Sequence, residues 1–490
     1  MQDVDLVVIG GGINGAGIAR DAAGRGLSVL LCEKGDLGEG TSSRSGKLIH
    51  GGLRYLEYYE FRLVREALIE REVLLRNAPH IVWPMRFVLP HSPEQRPAWL
   101  VRLGLFLYDH LGGRVKLPGC RRIDLSRDPE GKPIKDDYKI AFEYSDCWVD
   151  DARLVVLNAL DAKERGATIL TRSEAVSAQR AGGMWQLEIR DATGAMTGVR
   201  ATALVNAAGP WVEAVINGVA ASNSPRRVRL VKGSHVIMAK FWDGPQAYVF
   251  QNHDKRVIFV NPYQDDLCLI GTTDIPYEGR AEDVAIADAE IDYLLAAVNR
   301  FTKKQLDRAD VIGTYSGVRP LYDDNAANPS AVTRDYVFDV DGTPPLLSVF
   351  GGKITTYRKL AEHAMEKLKP FFPAMGDGWT AETALPGGDF PDADFESYLE
   401  SFRLTNLWLP ADVARHYVRL YGSRASTIIA GSTDLGEHFG GTLYRAEIDY
   451  LRKVEWAQTA ADILERRTKH GLHLSPANRD RVAAYLSASA

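Results

Sequence analysis

The chain has 490 residues, of which 45% are hydrophobic and 25% charged, and this composition is that of an ordinary soluble globular protein. A single hydrophobic core stops growing before this length, so we expect about two or three domains. The formal net charge of -5 excludes a dedicated nucleic-acid-binding protein, because no excess of lysine and arginine is present to follow a phosphate backbone.

The cysteines and the start of the chain favour a reducing compartment that faces the cytosol. The four cysteines are scattered, without a C-x-x-C pair or a cluster at metal-ligand spacing, so we expect no metal site and no disulfides. The sequence contains neither a secretory signal pattern nor a run of about 18 uncharged apolar residues. We therefore expect any contact with a membrane to be made from its surface.

The first predicted elements are a strand, a helix and a second strand. Residues 5–9 are an apolar run typical of a strand, and the small or helix-compatible residues 18–23 follow a glycine-rich loop. Residues 28–32 are a second strand-like run, which ends in Glu33. This order predicts a βαβ unit.

The loop between the first strand and the helix has the pattern G-x-G-x-x-G, formed by Gly10, Gly12 and Gly15. The three glycines permit a tight turn, close approach of a pyrophosphate and close packing of the helix on the strand, respectively. Phosphates would bind at the helix N-terminus, and Glu33 lies about 20 residues further on, where a carboxylate can bind ribose hydroxyls. The unit predicts a dinucleotide site but does not distinguish NAD from FAD.

Two later strand ends favour FAD. A predicted strand at residues 201–206 ends in Ala207, Ala208 and Gly209, and a strand at residues 346–350 runs into Gly351 and Gly352. Both junctions could return backbone to one extended cofactor, and a helix predicted at residues 357–368 begins near the second junction. Since no second G-x-G-x-x-G follows a strand, a pyridine nucleotide site is not indicated.

The remaining elements suggest a second sheet and a helical C-terminal region. Residues 257–260 and 267–270 predict antiparallel strands joined by the turn-forming residues 261–266. The loop-rich residues 386–392 mark our predicted domain boundary, and the pattern beyond them is helical, as in residues 450–467.

Residues 97–111 are the most apolar helix-like stretch, and arginines flank or interrupt it at Arg96, Arg102 and Arg114. This stretch is either an interfacial membrane helix or a core helix of the second domain, and the sequence does not decide between them. The helix predicted at residues 357–368, which carries Arg358 and Lys359, is a second membrane candidate.

Several motifs along the chain carry a family resemblance. They are V-V-I-G-G-G-I-N-G-A-G-I-A at residues 7–19, T-S-S-R-S-G-K-L-I-H-G-G-L-R-Y-L-E at 41–57, E-Y-S-D-C-W-V-D-D-A-R-L at 143–154, K-G-S-H at 232–235, I-G-T-T-D at 270–274, Y-S-G-V-R-P-L at 315–321 and F-G-G-K-I-T-T-Y-R-K-L-A-E at 350–362. The first marks many flavoproteins, whereas the others taken together are specific. Over nearly its whole length the chain resembles the FAD-dependent glycerol-3-phosphate dehydrogenases of the respiratory bacterial type.

The resemblance implies an α/β fold with three parts. These are a glutathione-reductase-type FAD-binding Rossmann domain, an inserted antiparallel-sheet substrate domain and an all-helical C-terminal cap. We assign residues 1–80, 150–215 and 312–372 to the FAD-binding domain, 81–149 and 216–311 to the substrate domain, and 386–490 to the cap.

The resemblance also implies oxidation of sn-glycerol 3-phosphate to dihydroxyacetone phosphate, with non-covalent FAD and a quinone acceptor, ubiquinone or menaquinone. It further implies peripheral attachment to the anionic inner face of the cytoplasmic membrane. We expect the protein to be a homodimer.

This chemistry requires a base for the hydroxyl proton and fixed cations for the phosphate. His50 is our candidate base, and the alternative is that it only hydrogen-bonds the flavin or its own loop. His235 is the rival base, because it is close to Lys232 in a predicted strand. Arg319 lies between a Gly-Val bend and Pro320, and the resemblance implicates it as a substrate ligand, with a surface ion pair as the alternative.

Two sets of contacts complete the predicted site. The predicted substrate contacts are Arg54, Tyr55, Lys232, His235, Thr272, Thr273, Arg319, Arg334 and Lys353. The predicted cofactor contacts are Gly10, Gly12, Ile13, Asn14, Gly15, Glu33, Lys34, Thr41, Ser42, Ser43, Lys47, Leu48, His50, Gly51, Ala207, Ala208, Gly209, Trp211, Gly352, Lys353, Ile354 and Thr355.

Two other functions stay open at this point. The nearest alternative is an oxidase of the same substrate that passes its electrons to O₂. From another class, the protein could be a flavin-binding scaffold without turnover, although the joint presence of His50, Arg319 and Lys353 argues against this.

Overall fold

The computed structural model describes residues 1–92, 96–254, 256–323, 335–431 and 433–488, and at Arg54 it describes the backbone alone. The strands are β1 (Gln2–Ile9), β2 (Val29–Cys32), β3 (Leu48–Ile49), β4 (Val82–His91), β5 (Arg121–Asp124), β6 (Ile140–Val149), β7 (Thr168–Leu170), β8 (Ser173–Ala181), β9 (Met184–Asp191), β10 (Met196–Asn206), β11 (Val228–Ala239), β12 (Ala247–Gln251), β13 (Val257–Tyr263), β14 (Leu267–Gly271), β15 (Ile275–Pro276), β16 (Val311–Tyr322), β17 (Val337–Asp341), β18 (Leu346–Phe350), β19 (His438–Gly440) and β20 (Leu443–Tyr444).

The helices are α1 (Ile13–Gly24), α2 (Phe61–Asn77), α3 (Ala98–Leu111), α4 (Asp151–Glu164), α5 (Val212–Ala214), α6 (Asp288–Asn299), α7 (Tyr357–Leu368), α8 (Phe395–Thr405), α9 (Ala411–Tyr421), α10 (Ala425–Ile428), α11 (Arg445–Val454) and α12 (Pro476–Ala488). Short 3₁₀ turns at Thr41–Ser43, Leu53–Tyr58 and Ile354–Thr356 border the site described below.

The first sheet has the strand order β17-β18-β10-β1-β2-β7, extended by β8 and β9 beside β10. The central strand β1 runs parallel to β10 and β2, and Leu6, Val7 and Val8 within it are fully buried because helices and strands cover both faces. Helices α4 and α7 pack against α1 on one face. The predicted βαβ unit is confirmed.

The second sheet has the strand order β15-β11-β14-β13-β12-β4-β6-β3, with β16 paired to β11 and β5 to β6. Its pairs are antiparallel except for β4 with β12, which run parallel. Along β13, Ile258 and Val260 enter the core under α6 while Phe259 faces the opposite core, as a period of two requires. The antiparallel pair predicted at residues 257–260 and 267–270 is confirmed as β13 and β14.

The C-terminal region has its own hydrophobic core, built by α8–α12 around residues such as Tyr417, Leu451 and Val482. It is helical apart from the two-stranded hairpin β19–β20, so the expectation of an all-helical cap is corrected in this detail. The hairpin turns at Gly440 and Gly441, which both have positive φ angles.

The division into domains stays a proposal, and sheet membership adds two observations to it. Strands β3 and β16 pair within the second sheet. The predicted FAD-domain segments 1–80 and 312–372 include nearly all of these two strands, so each segment contributes one strand to the other sheet.

Buried ion pairs tie the C-terminal region to the first sheet and its helices. Arg153 of α4 pairs with Glu455, and Arg467 pairs with Asp36, all four side chains being fully buried. Lys469 pairs with Asp150 at the N-terminus of α4.

The two membrane candidates differ in exposure. Helix α7 packs against α1, and Arg358 within it is buried between Glu70 and Glu362, so Arg358 is not available to lipid headgroups as the second membrane candidate supposed. Helix α3 buries Leu105 and Tyr108 in a core of the second sheet while its other face is exposed, so it is a surface helix packed on that core, and both readings of the stretch stay open. Among the helices of the described residues, none is both long and apolar enough to cross a membrane.

Candidate active site

A cleft of about 1470 Å³ is lined by residues of both sheets. One wall consists of the loops that follow β1, β2, β10 and β18, because the carboxyl ends of these parallel strands meet at one edge of the first sheet. The opposite wall comes from β11, β13, β14 and β16 of the second sheet.

The glycine loop after β1 packs too closely for side chains. Gly10 has a φ of 110°, and a Cβ there would lie 2.6 Å from the carbonyl oxygen of Ala207. A Cβ on Gly15 would lie 1.9 Å from the carbonyl oxygen of Gly10, which is why α1 can begin directly against the loop. The Ile13 N–H donates to Ser42 Oγ (2.9 Å), so the turn at Thr41–Ser43 lies beside the helix N-terminus.

Glu33 fixes one end of the cleft. Its carboxylate accepts hydrogen bonds from the Gly11 and Gly35 N–H groups, both at 2.7 Å, while burial raises its pKa. Nearby, Lys34 Nζ lies 4.0 Å above the Trp211 ring and 3.1 Å from a Glu282 carboxylate oxygen.

The other end of the cleft is formed by the loop after β18. Asn14 Nδ2 donates to the Gly351 carbonyl (3.2 Å), which joins this loop to the start of α1. Lys353 follows at the beginning of the 3₁₀ turn Ile354–Thr356, and its Nζ lies 4.0 Å from the centroid of the Tyr55 ring.

Two histidines line the middle of the cleft. The His50 N–H donates to Thr355 Oγ1 (3.3 Å), and the His50 ring meets Phe259 edge-on at 6.1 Å. His235 is buried and stacks on Tyr315 at 4.7 Å. Burial, and then the charges of Arg319 and Lys47, hold the pKa of His235 well below its ordinary value, so this ring is neutral.

Arg319 lies in the interior of β16, opposite Val231 of β11, rather than in the predicted turn. Its Nη1 donates to Asp274 Oδ1 (2.9 Å) and its Nη2 to Thr272 Oγ1 (3.0 Å). The guanidinium is therefore held in one orientation at the wall of the cleft.

Residues 5–358 match the family model described as FAD dependent oxidoreductase, and residues 379–488 match that of the C-terminal domain of alpha-glycerophosphate oxidase. The chain belongs to the FAD-dependent oxidoreductase family. It is therefore an oxidoreductase, and its cofactor is FAD.

Relatives with named activities cover nearly the whole chain. D-erythritol 1-phosphate dehydrogenase of Brucella abortus is 66% identical over 98% of this chain and 96% of its own length. Glycerol-3-phosphate dehydrogenase of Pseudomonas aeruginosa is 54% identical over 98% of this chain and 94% of its own length. Aerobic glycerol-3-phosphate dehydrogenase of Escherichia coli is 52% identical, over 99% of this chain and 98% of its own length.

A solved structure has the same fold. It is the glycerol-3-phosphate dehydrogenase of Bacillus halodurans in complex with FAD, with a TM-score of 0.76 and 26% identity, covering 99% of this chain and 94% of that chain. The predicted FAD-binding fold with a C-terminal helical domain is confirmed.

The cleft fits FAD. Its lining includes both Glu33 and Lys353, its volume of about 1470 Å³ is large enough for a dinucleotide, and the side-chain-free glycine loop lies at the start of α1, where a pyrophosphate would bind. Two buried amide oxygens of cleft residues, Asn14 Oδ1 and Asn261 Oδ1, have no hydrogen-bond partner among the described residues. Unsatisfied acceptors of this kind are expected where a bound group supplies the donor.

Most of the predicted cofactor residues line this cleft. They are Gly10, Gly12, Ile13, Asn14, Glu33, Lys34, Thr41, Ser42, Leu48, His50, Ala207, Ala208, Gly209, Trp211, Gly352, Lys353, Ile354 and Thr355. Of the predicted substrate residues, the cleft is lined by Tyr55, His235, Thr272, Arg319 and Lys353. Their individual contacts stay predictions.

Lys47 and two of its predicted neighbours lie behind the cleft wall. Lys47 Nζ is buried, 2.7 Å from Asp151 Oδ1 and 3.2 Å from the Ser43 carbonyl, so its charge is directed at Asp151, and its contact with FAD stays a prediction. The Gly51 N–H donates to the hydroxyl of Tyr108 (2.7 Å), which in turn donates to the Asp146 carboxylate. Gly51 and Ser43 are therefore supports of the wall and not part of its lining.

Two predicted substrate residues are engaged elsewhere. Lys232 Nζ lies 2.6 Å from a Glu290 carboxylate oxygen, and the Thr273 hydroxyl donates to the same carboxylate (2.8 Å). Glu290, on α6, is therefore a partner of both groups, neither residue is among those that line the cleft, and their contacts with the substrate stay predictions. Arg334 and the side chain of Arg54 lie outside the described part of the chain.

Sequence reasoning missed three residues that line or shape the cleft. Asp274 orients Arg319, and its place in the I-G-T-T-D motif was the available signal. Glu282 accepts hydrogen bonds from both Lys34 and Trp211, and Asn261 lines the cleft from β13. No local pattern identifies the last two, because their partners are distant in sequence.

Proposed function

We propose that this enzyme oxidises a secondary hydroxyl group of an acyclic polyol phosphate to a ketone, with glycerol 3-phosphate as the first candidate substrate and dihydroxyacetone phosphate as its product. The observation that carries the proposal is Arg319, which Asp274 and Thr272 orient in the same cleft as two histidines. The names of relatives that are 52–66% identical support it.

In this proposal Arg319 and Lys353 bind the phosphate dianion. A forked guanidinium can bind two phosphate oxygens at once, and Asp274 and Thr272 fix the direction in which the Arg319 guanidinium points. Lys353 adds a point charge at the end of the cleft where the loop after β18 lies. Binding the phosphate at a fixed place positions the neighbouring carbinol carbon.

FAD, when bound, supplies the two-electron acceptor that takes a hydride from the carbinol carbon at its N5. His50 is the proposed base that removes the hydroxyl proton. An efficient base has a pKa near the working pH, and the buried His235, whose pKa lies well below the ordinary value, holds a proton too weakly for this task. His235 is better suited to accept a hydrogen bond from the substrate.

D-Erythritol 1-phosphate is the second candidate substrate. The relative named D-erythritol 1-phosphate dehydrogenase is 66% identical to this chain, whereas the two relatives named glycerol-3-phosphate dehydrogenase are 54% and 52% identical. Both compounds carry a terminal phosphate and a secondary hydroxyl, so the same cations and base serve either one. Comparing kcat/KM for the two substrates ranks them, and an excess of at least tenfold for one identifies the preferred substrate.

Anaerobic reduction of the enzyme-bound flavin tests the function itself. Addition of either polyol phosphate to the FAD-loaded enzyme should bleach the flavin absorption, whereas glycerol and inorganic phosphate added separately should not. Failure of both polyol phosphates to bleach the flavin would contradict the proposal.

We also propose a membrane quinone as the electron acceptor and attachment to the anionic inner face of the membrane. Support comes from an exposed apolar face on α3, formed by Trp99, Leu103, Phe106 and Leu107. Exposed cationic side chains beside this face, at Arg96 and Arg102, suit anionic headgroups. Reoxidation of the reduced enzyme by a soluble quinone, but only slowly by air, would distinguish a dehydrogenase from an oxidase.

The proposed homodimer has a separate test, which is the molar mass of the FAD-loaded protein in solution by light scattering. A mass equal to twice the 54.2 kDa of one chain is expected.

A further inference from the structure

Three side chains of the C-terminal region come together from separate elements. His416 lies on α9, Glu447 lies on α11, and His470 begins a 3₁₀ turn that precedes α12. One nitrogen of each histidine and one carboxylate oxygen lie within 4.8 Å of one another. His416 Nε2 is 2.8 Å from Glu447 Oε1.

The cluster is largely buried and incompletely satisfied. Glu447 is fully buried and His470 is 9% exposed. Glu447 Oε2, His470 Nδ1 and the Tyr417 hydroxyl are buried and have no hydrogen-bond partner among the described residues. Buried polar atoms are rarely left unpaired, so three of them on neighbouring side chains indicate that a species bound between them is missing.

The remaining atoms of these side chains are held by other groups. His470 Nε2 lies 3.0 Å from Thr442 Oγ1, which fixes the ring and leaves Nδ1 for a further ligand. The Tyr421 hydroxyl donates to Glu447 Oε1 (2.6 Å). Ligands that are oriented in this way by outer hydrogen bonds are characteristic of metal sites in proteins.

We propose that His416, Glu447 and His470 bind a divalent transition-metal ion, of which Zn²⁺ is the best match. Two imidazoles and one carboxylate are a known zinc ligand set, whereas Ca²⁺ and Mg²⁺ require mostly oxygen ligands. A water molecule would complete the four-coordinate site. None of the three ligands lines the cleft, so the role of the ion is structural.

The position of the site gives the ion a specific task. His470 directly follows Lys469, which pairs with Asp150 at the N-terminus of α4. Arg467, three residues before His470, pairs with Asp36 in the loop after β2. A metal ion would therefore join α9 and α11 to the segment that anchors the C-terminal region. The sequence does not indicate a metal site here, because ligands 31 residues apart, as His416 and Glu447 are, have no recognisable spacing.

Metal content tests the proposal on the FAD-loaded full chain. After chelator treatment and dialysis against Zn²⁺, the wild type should retain about one zinc per chain, measured by plasma mass spectrometry. His416→Ala and His470→Ala should bind Zn²⁺ at least about 100-fold more weakly, since even loss of an outer hydrogen-bond partner costs 10- to 100-fold. His473→Ala is the matched control, because His473 is an exposed histidine of the same region that pairs with Asp266, and it should retain zinc.

Co²⁺ supplies a second measurement that does not depend on a variant being folded. A buried site with two nitrogen ligands should give the wild type visible d–d absorption that Zn²⁺ displaces. Absence of this absorption together with no retained zinc would show that water fills the cluster and would overturn the proposal. Zinc retention equal in the wild type and in a folded His416→Ala variant, judged by its FAD content, would overturn it as well. Neither assay uses a substrate, so the outcome is independent of the proposed function.

Discussion

Arg319 donates to both Asp274 and Thr272, which hold its guanidinium in one orientation at the wall of the cleft. We predict that Arg319→Lys lowers kcat/KM for the polyol phosphate by about 10- to 100-fold, because one charge-assisted hydrogen bond contributes about 1.5–3 kcal/mol and lysine cannot replace the fork. Steady-state kinetics with a soluble quinone as the electron acceptor measure kcat/KM, and the FAD content of the variant should equal that of the wild type.

The matched control for this variant is Arg308→Lys. Arg308 is an exposed arginine that pairs with Asp288 and Asp292 on the surface. Its replacement should leave kcat/KM within about twofold of the wild type. An Arg319→Lys enzyme with unchanged kcat/KM would remove Arg319 from phosphate binding.

His50 has a different predicted signature. His50→Ala should lower kcat by about 100-fold or more with FAD retained, because general-base catalysis by a positioned side chain contributes about that factor. Rapid-mixing measurement of flavin bleaching isolates the step. A near-wild-type bleaching rate would assign His50 a structural role only.

Side-chain partners explain which features of the cleft could be read from the sequence. Gly10, Gly15 and Glu33 were identifiable because their reasons are local, namely the packing of a loop, a helix and the next strand. Lys47 was not, because its charge is taken by Asp151, which lies 104 positions further along the chain. The sequence does not distinguish a lysine that contacts a cofactor from a lysine whose charge is neutralised by a buried carboxylate far along the chain.

Helix α3 illustrates a limit of pattern reasoning at the level of elements. Trp99, Leu103, Phe106 and Leu107 recur at helical spacing, which makes one face apolar. The pattern is identical whether such a face meets protein or lipid, so the sequence left both options open. The three-dimensional arrangement shows that the face with Leu105 and Tyr108 packs on the protein, whereas the face with Trp99 and Phe106 is exposed.

We predict that the double variant Trp99→Ser and Phe106→Ser binds anionic vesicles at least about 100-fold more weakly. Burying a large apolar side chain contributes about 1.5–3 kcal/mol, so the loss of two accounts for this factor. Co-sedimentation with phosphatidylglycerol vesicles measures the binding. Leu404→Ser and Leu407→Ser together are the control, since both are exposed apolar residues of the C-terminal region, and equal binding by all three proteins would contradict the assignment.

For the molecule as a whole, the βαβ order and the late glycine loop made the FAD-binding half predictable, because each of its elements is defined by contiguous residues. The pairing of β16 with β11 was not predictable, since it joins strands separated by four others in sequence. The same holds for the ion pairs between the C-terminal region and Asp36, Asp150 and Arg153.

Acid lability is the expected property of the whole fold. His80 is fully buried, and burial lowers its pKa to about 3. The folded state therefore excludes a proton that the unfolded chain accepts near pH 6.5, so stability is lost as the pH falls below that value. We predict that lowering the pH from about 7.5 to 5.5 costs about 1.4 kcal/mol of unfolding free energy from His80 alone.

Urea unfolding of the wild type and of His80→Gln at the two pH values measures this contribution. The variant should lose less stability between them, by about the same 1.4 kcal/mol. Equal losses in both proteins would show that His80 is not protonated on unfolding.

Tyr108 links the exposed helix α3 to the loop that carries His50. Its hydroxyl accepts the Gly51 N–H from the residue next to His50, while its backbone belongs to α3. Any tilt of α3 on a bilayer that breaks this bond leaves a buried N–H unpaired, at a cost of about 1–3 kcal/mol. Binding to a lipid surface can thus change the position of the loop that carries the proposed base. The turnover rate of the enzyme at a membrane is therefore expected to differ from its rate in solution.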